Sequence, residues 1–399
     1  MSNVRYSFDE IIDRRDTGCV KWDAEVSRAS ESSPLPWGKD IIPLWVADMD
    51  FAVAPAIQEA VRQRAAHPVF GYTHVQDDYY DAVISWFSRR HQWNIQREWI
   101  LYTTGVVPAM SVAIKALTMP GERVLILSPD YNCFFSSIKN NGCEVAETML
   151  RQNRSTQDHF EVDWDDFEAQ CADEKTTVFL LCNPHNPTGR VWTRDELQRM
   201  ADICHQHQVR IVSDEIHCEL IMPGHTFVPM GTVDPDAIIL NSPSKSFNIA
   251  GLMMANIICQ DAATRRRLDR AININEVCDV NPFAPEAVKA AYNDSEDWLD
   301  ALNLYLWDNY TALCDFVAQH LPQWRVMPLE GTYLVWVDVS ACCDDVATYC
   351  DKILEKAKVW LNPGTMYGPK SGEGYVRINI ACPRSLLMEA LERISALSA

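Results

Sequence analysis

The stretch from Thr177 to Gly189, TVFLLCNPHNPTG, joins a short apolar run to a turn rich in asparagine and proline. The run from Val178 to Cys182 is continuously apolar, which is typical of a strand buried on both faces. The residues that follow, with Asn, Pro and Gly, favour a turn at which the strand ends. A strand of this kind indicates a parallel sheet with helices on both sides.

The same pattern recurs through the middle of the chain, where runs rich in Val, Ile and Leu alternate with helical patterns. Between two of these runs, Thr193-Arg194-Asp195-Glu196 has the sequence of a helix capping box and precedes apolar residues at helical spacing. Alternating strands and helices predict an α/β fold with a mostly parallel sheet. The predicted buried strands are Ile100–Thr103, Val124–Leu127, Thr177–Cys182, Arg210–Ser213 and Ala237–Leu240.

The alternation ends after about residue 290. A long helix is predicted from Ser295 to His320, because leucines recur on one face between Leu299 and Leu313. Strands at Thr332–Val337 and Tyr375–Ile380 and a final helix at Ser385–Ser398 complete a mixed region.

A chain of 399 residues exceeds the usual limit of a single core, so we expect two domains. The large domain is predicted at 51–290, and a smaller α+β domain is predicted at 291–399, hinged near Pro282–Pro285. Residues 1–50, rich in charge, Trp and Pro, are interpreted as an N-terminal arm that also forms part of the small domain.

The composition narrows the range of partners. With 55 acidic and 35 basic residues, the formal charge is −20, which argues against nucleic acid or an anionic membrane surface as a partner. No secretory signal is recognisable from Met1 to Asp13, and no apolar run has the length of a membrane span. The 14 cysteines lie mostly in apolar stretches without a zinc or CxxC pattern. We therefore expect reduced thiols, no metal and a cytoplasmic location.

Unusual polar residues cluster where the predicted strands end. In open parallel sheets, ligands bind beyond the carboxyl ends of the strands, so residues at several such ends predict one common site. The segments concerned are Tyr102-Thr103-Thr104-Gly105, Asn183-Pro184-His185-Asn186-Pro187-Thr188-Gly189, Ser213-Asp214-Glu215-Ile216-His217 and Ser242-Pro243-Ser244-Lys245.

In this order and spacing, NPHNPTG, SDE and SPSKSFNIAG resemble the fold-type I pyridoxal-phosphate enzymes of the aminotransferase class I/II superfamily. Within that superfamily, the chain most resembles the cystathionine β-lyase-like C–S lyases, including the maltose-regulon modulator type. The likeness covers nearly the whole chain. The likeness to the C–S lyases depends on Asp13-Arg14-Arg15, Pro43–Phe51, Phe70-Gly71-Tyr72-Thr73, Ser246-Phe247-Asn248 and Asn379–Arg384. The resemblance to fold-type I enzymes implies a large domain with a mostly parallel seven-stranded sheet and a smaller α+β domain.

The resemblance implies pyridoxal 5′-phosphate as the cofactor, held as a Schiff base by Lys245. That role requires a lowered pKa, so that the amine acts first as a nucleophile and then as a base. A lone lysine is ordinarily a solvated surface residue, but this one follows an apolar strand and is flanked by serines. Asp214 is implied to pair with the pyridine nitrogen, although an aspartate here also suits a helix N-cap.

Two further residues are implied to contact the cofactor ring. Asn186 matches the asparagine that hydrogen-bonds the phenolic oxygen, and Tyr131, in Pro129-Asp130-Tyr131, matches the aromatic residue that stacks on the ring. Taken alone, Asn-Pro-Thr-Gly is a turn and an isolated tyrosine is more often part of a core. The neighbouring motifs favour the functional interpretation.

The phosphate is implied to lie at a helix N-terminus. Gly105, Val106 and Val107 would present backbone N–H groups to it. Ser242 and Ser244 would add hydroxyl contacts, although serines before a helix are also ordinary caps.

Two residues complete the implied site. Tyr72 matches the tyrosine that reaches across a dimer interface to the phosphate of the neighbouring subunit, which implies a homodimer with composite sites and a possible role for Tyr72 in proton transfer. Arg377, in Val376-Arg377-Ile378-Asn379, matches the arginine that binds the substrate α-carboxylate, for which a bidentate guanidinium is well suited. Without the resemblance, Tyr72 could equally be interpreted as a turn residue, and Arg377 as an exposed residue of a strand.

Two departures from the aminotransferase pattern favour the lyase branch. Many aminotransferases have Gly-Leu-Arg where this chain has Gly251-Leu252-Met253, and a tyrosine where it has His217. We therefore expect β-elimination from L-cystathionine or another cysteine S-conjugate, giving a thiol, pyruvate and ammonia. The alternatives are an aminotransferase of broad or aromatic specificity and, third, a regulatory protein that binds a transcription activator. Trp45, Tyr333 and Asn362 are candidates for lining the pocket of the leaving group.

Overall fold

The strand that opens the TVFLLCNPHNPTG stretch lies in the middle of a seven-stranded sheet. The computed structural model describes residues 6–23, 40–153 and 159–397. In the sheet, the strand order is β2 (Ile100–Thr103), β10 (Ala255–Ile258), β9 (Ile238–Asn241), β8 (Arg210–Asp214), β7 (Thr176–Cys182), β3 (Arg123–Ser128) and β4 (Glu144–Met149). Strand β10 runs antiparallel to both neighbours, and the other four pairings are parallel. The predicted α/β fold with a mostly parallel sheet is therefore confirmed.

The strands are β1 (Ile42–Pro43), β2 (Ile100–Thr103), β3 (Arg123–Ser128), β4 (Glu144–Met149), β5 (Arg151–Asn153), β6 (His159–Glu161), β7 (Thr176–Cys182), β8 (Arg210–Asp214), β9 (Ile238–Asn241), β10 (Ala255–Ile258), β11 (Arg325–Val326), β12 (Leu334–Asp338), β13 (Val359–Trp360), β14 (Asn362–Pro363) and β15 (Tyr375–Asn379). The helices are α1 (Pro55–Ala66), α2 (Asp77–His91), α3 (Val106–Leu117), α4 (Asn132–Asn140), α5 (Trp164–Cys171), α6 (Arg194–Gln206), α7 (Ala262–Ile274), α8 (Ala284–Asp294), α9 (Glu296–His320), α10 (Val346–Ala357) and α11 (Arg384–Ser395).

The five strands predicted from apolar runs agree with the structure to within one residue at each end. Their side chains alternate between two cores, one on each face of the sheet. Phe179 and Leu181 of β7 lie in one core together with Leu197 of α6. Val178 and Leu180 lie in the other core with residues of α3 and α7. Because both faces are covered, the strands are apolar throughout rather than alternating with polar residues.

A second sheet, with the order β11-β12-β15-β14, is antiparallel and lies later in the chain. The long predicted helix is α9, and it begins one residue after the predicted start. The helix predicted at Ser385–Ser398 is α11, and Ser398 lies outside the described residues. Near the other end of the chain, β1 pairs in parallel with β13, so that Ile42 lies beside Val359.

The predicted domain boundary between residues 290 and 291 falls inside α8. This helix begins with Pro285 in its first turn, where a proline costs no hydrogen bond, and it packs against α1 and α2. The Pro282–Pro285 region therefore forms the start of a packed helix. None of the described helices combines the length and the apolar character that crossing a membrane requires.

The capping box predicted before α6 is present. The Thr193 hydroxyl accepts the backbone N–H of Glu196 at 3.3 Å, and the Glu196 carboxylate accepts the backbone N–H of Thr193 at 2.9 Å. These contacts satisfy two backbone donors that the first turn of a helix leaves without partners.

Replacing Thr193 with alanine should lower the free energy of unfolding by about 1 kcal/mol, since one backbone donor of α6 loses its acceptor. The measurement is urea unfolding of the purified chain. Thr311→Ala is the matched control, because Thr311 is an exposed threonine inside α9 where alanine has the higher helix propensity. Equal losses in the two variants would contradict the capping role.

Candidate active site

A cavity of about 210 Å³ lies at the carboxyl ends of the parallel strands of the large sheet. All four polar segments noted in the sequence contribute to it, so the predicted convergence at one site is observed. Eight of the predicted site residues line the cavity: Gly105, Val106, Val107, Tyr131, Asn186, Asp214, Ser244 and Lys245.

Lys245 lies in the tight turn that follows β9, where the Phe247 backbone N–H donates to the Pro243 carbonyl at 2.9 Å. Its Nζ donates a hydrogen bond to the carbonyl of Ala47 at 2.5 Å. Burial lowers the pKa of Lys245 to about 8, against the opposing attraction of Asp48. A lysine in this condition is partly neutral near physiological pH and therefore nucleophilic.

Asp214 is the last residue of β8 and is buried beside the cavity. One carboxylate oxygen accepts the backbone N–H of Ile216 at 3.1 Å. Burial raises the pKa of Asp214 to about 7, while that hydrogen bond and the charge of Lys245 oppose the rise. A cation or an N–H donor bound in the cavity would stabilise the charged form of this carboxyl.

Arg377, in the middle of β15, is buried and points its guanidinium at the same region. It donates to the Asn186 side-chain oxygen at 3.1 Å and to the Trp45 carbonyl at 2.9 Å, and it stacks 4.6 Å above the ring of Tyr367. Its Nε is buried without a hydrogen-bond partner among the described residues. A buried guanidinium with a spare donor favours an anionic ligand, and a carboxylate fits its planar geometry.

Helix α3 begins at the cavity with Gly105 as its N-cap, and no side chain caps it. The backbone N–H groups of Val106 and Val107 precede the first intrahelical hydrogen bond and so retain their donor capacity. Gly105 has φ of +146°, a conformation that favours glycine. This arrangement of free N–H groups at a positive helix end binds anions such as phosphate.

Tyr131 is the N-cap residue of α4, and its half-buried ring lines the cavity. Burial raises the pKa of the Tyr131 phenol, which therefore stays protonated. The two predicted serines differ in position. Ser244 lines the cavity, whereas the Ser242 hydroxyl lies outside the lining and donates to the Met254 carbonyl at 2.6 Å.

Tyr72 lies apart from the cavity of its own chain. Its side chain is 98% exposed, in the coil between α1 and α2. Phe70, two residues earlier, is also largely exposed, at 56%. The protomer therefore leaves the Tyr72 side chain in solvent, whereas Phe70 contacts Phe283 and Arg64.

Ala47, in the segment Pro43–Phe51, contributes to the site through its backbone. The Ala47 carbonyl accepts hydrogen bonds from both Lys245 and the Tyr333 hydroxyl, the latter at 2.9 Å. The adjacent Trp45 carbonyl accepts from the Asn362 side chain at 2.9 Å. The predicted pocket candidates Trp45, Tyr333 and Asn362 thus meet at this segment. Backbone acceptors leave no mark in residue type, so only the motif as a whole signalled them.

The two residues that depart from the aminotransferase pattern both line the cavity. His217 is buried, and burial together with the charges of Lys245 and Arg377 holds its pKa well below the ordinary value. It is therefore neutral, and its Nδ1 has no hydrogen-bond partner among the described residues. Met253 is 56% exposed at the cavity mouth, where it presents an apolar side chain.

Away from the cavity, the described residues include two groups with metal-binding side chains: His91, Cys218 and Glu219, and the more exposed His205, Asp234 and Asp236. In the first group, Glu219 accepts hydrogen bonds from His91 and from the indole of Trp86, each at 2.6 Å. The carboxylate is thus already engaged by protein donors.

The site combines a buried lysine, an aspartate, a helix N-terminus and a nearby buried arginine. This combination defines the site of a known enzyme class. Residues 39–394 match the family model described as aminotransferase class I and II. The chain belongs to this family.

Known relatives and solved structures show which members of the family the chain is similar to. The chain is 37% identical to cystathionine beta-lyase PatB of Bacillus subtilis, over 98% of this chain and 99% of that protein. It is 36% identical to protein MalY of Escherichia coli, over 96% of each chain. The structure of the PLP-bound C–S lyase from Staphylococcus hominis matches with a TM-score of 0.88 and 32% identity, over 98% of both chains.

Asp214→Asn should stabilise the ligand-free chain, and more at about pH 8 than at about pH 5. Because the pKa of Asp214 is raised to about 7 from an ordinary value of 3.8, folding favours its protonated form. The cost of the charged carboxyl therefore grows as the pH rises between these two values and is complete above the higher one. Asparagine carries no such cost.

Urea unfolding of the ligand-free chain at the two pH values measures the difference. Asp236→Asn is the control, because Asp236 is an exposed carboxyl and its replacement gives the reference change in stability at each pH value. An Asp214→Asn effect of equal size at both pH values would show that burial does not perturb this carboxyl.

Proposed function

We propose that this chain is a pyridoxal 5′-phosphate-dependent C–S β-lyase. It cleaves L-cystathionine or a related cysteine S-conjugate, with one water, to a thiol, pyruvate and ammonia. The observation that carries the proposal is the buried Lys245 amine, with its pKa lowered to about 8, in one cavity with Asp214 and Asn186. Arg377 lies directly behind this lining, in contact with Asn186. The likeness to proteins named cystathionine beta-lyase and C–S lyase supports the choice of reaction.

The residues of the cavity fit the cofactor. Its aldehyde requires an amine such as Lys245, its phosphate requires donors such as the N–H groups of Val106 and Val107, and its pyridine nitrogen requires an acid such as Asp214. The donor of Arg377 that has no partner among the described residues leaves a place for a carboxylate, which the amino-acid substrate brings. Each group of the cofactor and substrate thus has a matching protein group in one cavity.

When bound, the cofactor supplies an electron sink for the negative charge that forms at the substrate α-carbon. Asp214, charged once it faces the pyridine N–H, holds a proton on that nitrogen. Lys245 removes the substrate α-proton at its Nζ, which requires the neutral amine that burial favours. Arg377 binds the substrate carboxylate and so orients the α-C–H bond toward Lys245.

The choice between elimination and amino transfer depends on where the proton held by Lys245 goes next. In elimination, Lys245 would give this proton to the departing sulfur, whereas in transamination it would give the proton to the cofactor instead. Met253 and the neutral His217 replace the arginine and tyrosine that the resemblance associates with aminotransferases. Met253 places an apolar side chain at the cavity mouth, and His217 adds a neutral ring to the buried lining, so neither adds a charge beside a thiol leaving group.

L-cystathionine supplied without an oxo acid should give pyruvate and free thiol over many turnovers. Lys245→Ala should abolish this release and remove the absorbance near about 420 nm that is expected of the lysine-bound cofactor. Pyruvate is measured by coupled reduction and thiol with a chromogenic disulfide. Amino exchange that depends on an added oxo acid, with no thiol released, would instead establish an aminotransferase.

We also propose that the enzyme is a cytoplasmic homodimer with composite sites. The 98% exposure of Tyr72 supports this, because a tyrosine so placed in one protomer is available to the cofactor phosphate of the other. The division into a large domain at 51–290 and a small domain at 291–399 remains our proposal. The location of the parallel sheet before residue 260 and the antiparallel sheet after residue 320 supports it.

Mixing two inactive chains tests the composite site. Tyr72→Ala and Lys245→Ala should each form weakly active or inactive dimers. Their mixed dimer combines both changes in one site and neither in the other, so activity should return to about half of the normal value per mixed dimer, or about a quarter over a statistical mixture of dimers. Refolding the two variants together and assaying thiol release measures this. Failure of the mixture to regain activity, with mixed dimers shown by mass spectrometry, would place Tyr72 in its own protomer's site.

A further inference from the structure

The backbone of residues 45–49, here called the 45–49 segment, carries an unbroken row of engaged carbonyl groups. Each accepts at least one hydrogen bond from a side chain that is distant in sequence. The donors to successive carbonyls are Asn362 and Arg377 to Trp45, Asn379 to Val46, Lys245 and Tyr333 to Ala47, Asn379 and Lys21 to Asp48, and Asn248 and Arg14 to Met49.

The N-terminal arm fixes this segment through ion pairs. Arg14 donates to Asp48 at 2.6 Å and to Asp50 at 2.7 Å. The Lys21 side chain is fully buried, and its Nζ donates to Asp50 at 2.6 Å. The indole of Trp22 donates to Asp50 at 2.8 Å. Two cations of the arm therefore face two carboxylates, Asp48 and Asp50, that closely follow Ala47, the acceptor of Lys245, in the chain.

Burying charged groups costs free energy, which the attraction between the paired charges roughly offsets. These ion pairs are therefore not expected to add much to the stability of the fold. They do fix geometry, because removing one partner leaves an uncompensated buried charge that must reach water. The arm has no described contact with Lys245 itself. Its effect on the lysine passes through the Ala47 carbonyl and through the charge of Asp48.

We propose that Arg14 and Lys21 are positioning residues for Lys245. By clamping Asp48 and Asp50, they hold the Ala47 carbonyl where it receives the lysine amine, and they keep the cavity closed over it. The amine then donates one N–H to Ala47, which leaves its lone pair free for the substrate α-proton. This last step rests on the proposed function, whereas the clamp itself does not.

The direction of the effect follows from the groups that face Lys245. Burial and Arg377 lower the pKa of Lys245, whereas Asp48, Asp214 and Cys133 raise it. His217, which is neutral, also faces it. Releasing the 45–49 segment admits water and leaves Asp48 without its cationic partners. Both changes favour the ammonium form, so the pKa of Lys245 should rise.

The test uses the full chain after removal of the cofactor, with Arg14→Gln and Lys21→Met. The pKa of Lys245 is read from competitive labelling by an amine reagent as a function of pH, with the modified peptide quantified by mass spectrometry. We expect it to rise from about 8 by at least about one unit in both variants. In the loaded enzyme, the acidic limb of the kcat profile should move to higher pH by the same amount.

Arg15→Gln is the matched control, since Arg15 is adjacent, 40% exposed and paired with Asp13 rather than with the segment. It should leave the labelling curve unchanged. Combining Lys21→Met with Asp50→Asn removes the uncompensated carboxylate and should return the pKa of Lys245 toward its original value.

An unchanged pKa of Lys245 in Arg14→Gln and Lys21→Met, together with a lower unfolding temperature, would reduce the clamp to a structural role and overturn the proposal. If Lys21→Met does not fold, Arg14→Gln decides, because the Arg14 side chain is 22% exposed and tolerates replacement more readily. The labelling needs neither cofactor nor substrate, so a failure of lyase activity in the unaltered enzyme would reject the proposed function without affecting this result.

Discussion

The chemistry of this protein depends on removing the Lys245 amine from water. Burial is the largest influence on its pKa, and the attraction of Asp48 and Asp214 limits the fall to a value of about 8. A fully solvated lysine would be charged and inert near neutral pH, whereas one without nearby carboxylates would lose its proton too readily to carry one. The elements around the cavity keep the pKa of Lys245 between these two extremes. The sheet supplies the lysine and Asp214, and the 45–49 segment supplies the cover.

The topology explains how residues so far apart in sequence reach one cavity. The strands that carry Asn186, Asp214 and Lys245 are parallel neighbours, so their carboxyl ends coincide at one edge. The antiparallel sheet brings Arg377 to the same edge from a different direction, and its contact with Asn186 joins the two sheets directly. Substrate carboxylate and cofactor ring would therefore be held by different sheets. Any relative movement of the sheets would change the angle between substrate and ring.

Much of the large sheet could be predicted from the sequence, because strands buried on both faces consist of uninterrupted apolar residues. Strand β4 was not predicted, since it lies at the sheet edge, where exposed and buried residues alternate. Strand β10 was not predicted, since the buried Asn256 interrupts its apolar run. The resemblance named Lys245, Asp214, Asn186 and Arg377, and the structure brings all four together. It did not reveal the internal hydrogen bond of Ser242, or that Ala47 acts through its carbonyl. Such roles depend on backbone position, which residue type does not encode.

The pairing of the two ends of the chain bears on how the protein is made. The Trp45 carbonyl and its donor Arg377 are 332 residues apart, and β1 requires β13 as its partner. During synthesis, the parallel sheet emerges long before the residues that complete the cavity. The Trp45 carbonyl and β1 therefore wait on the ribosome without Arg377 and β13, and closing so long a loop comes late. Lys245 would then be among the last side chains to leave water, so a chain interrupted near its end would expose an ordinary, unreactive amine.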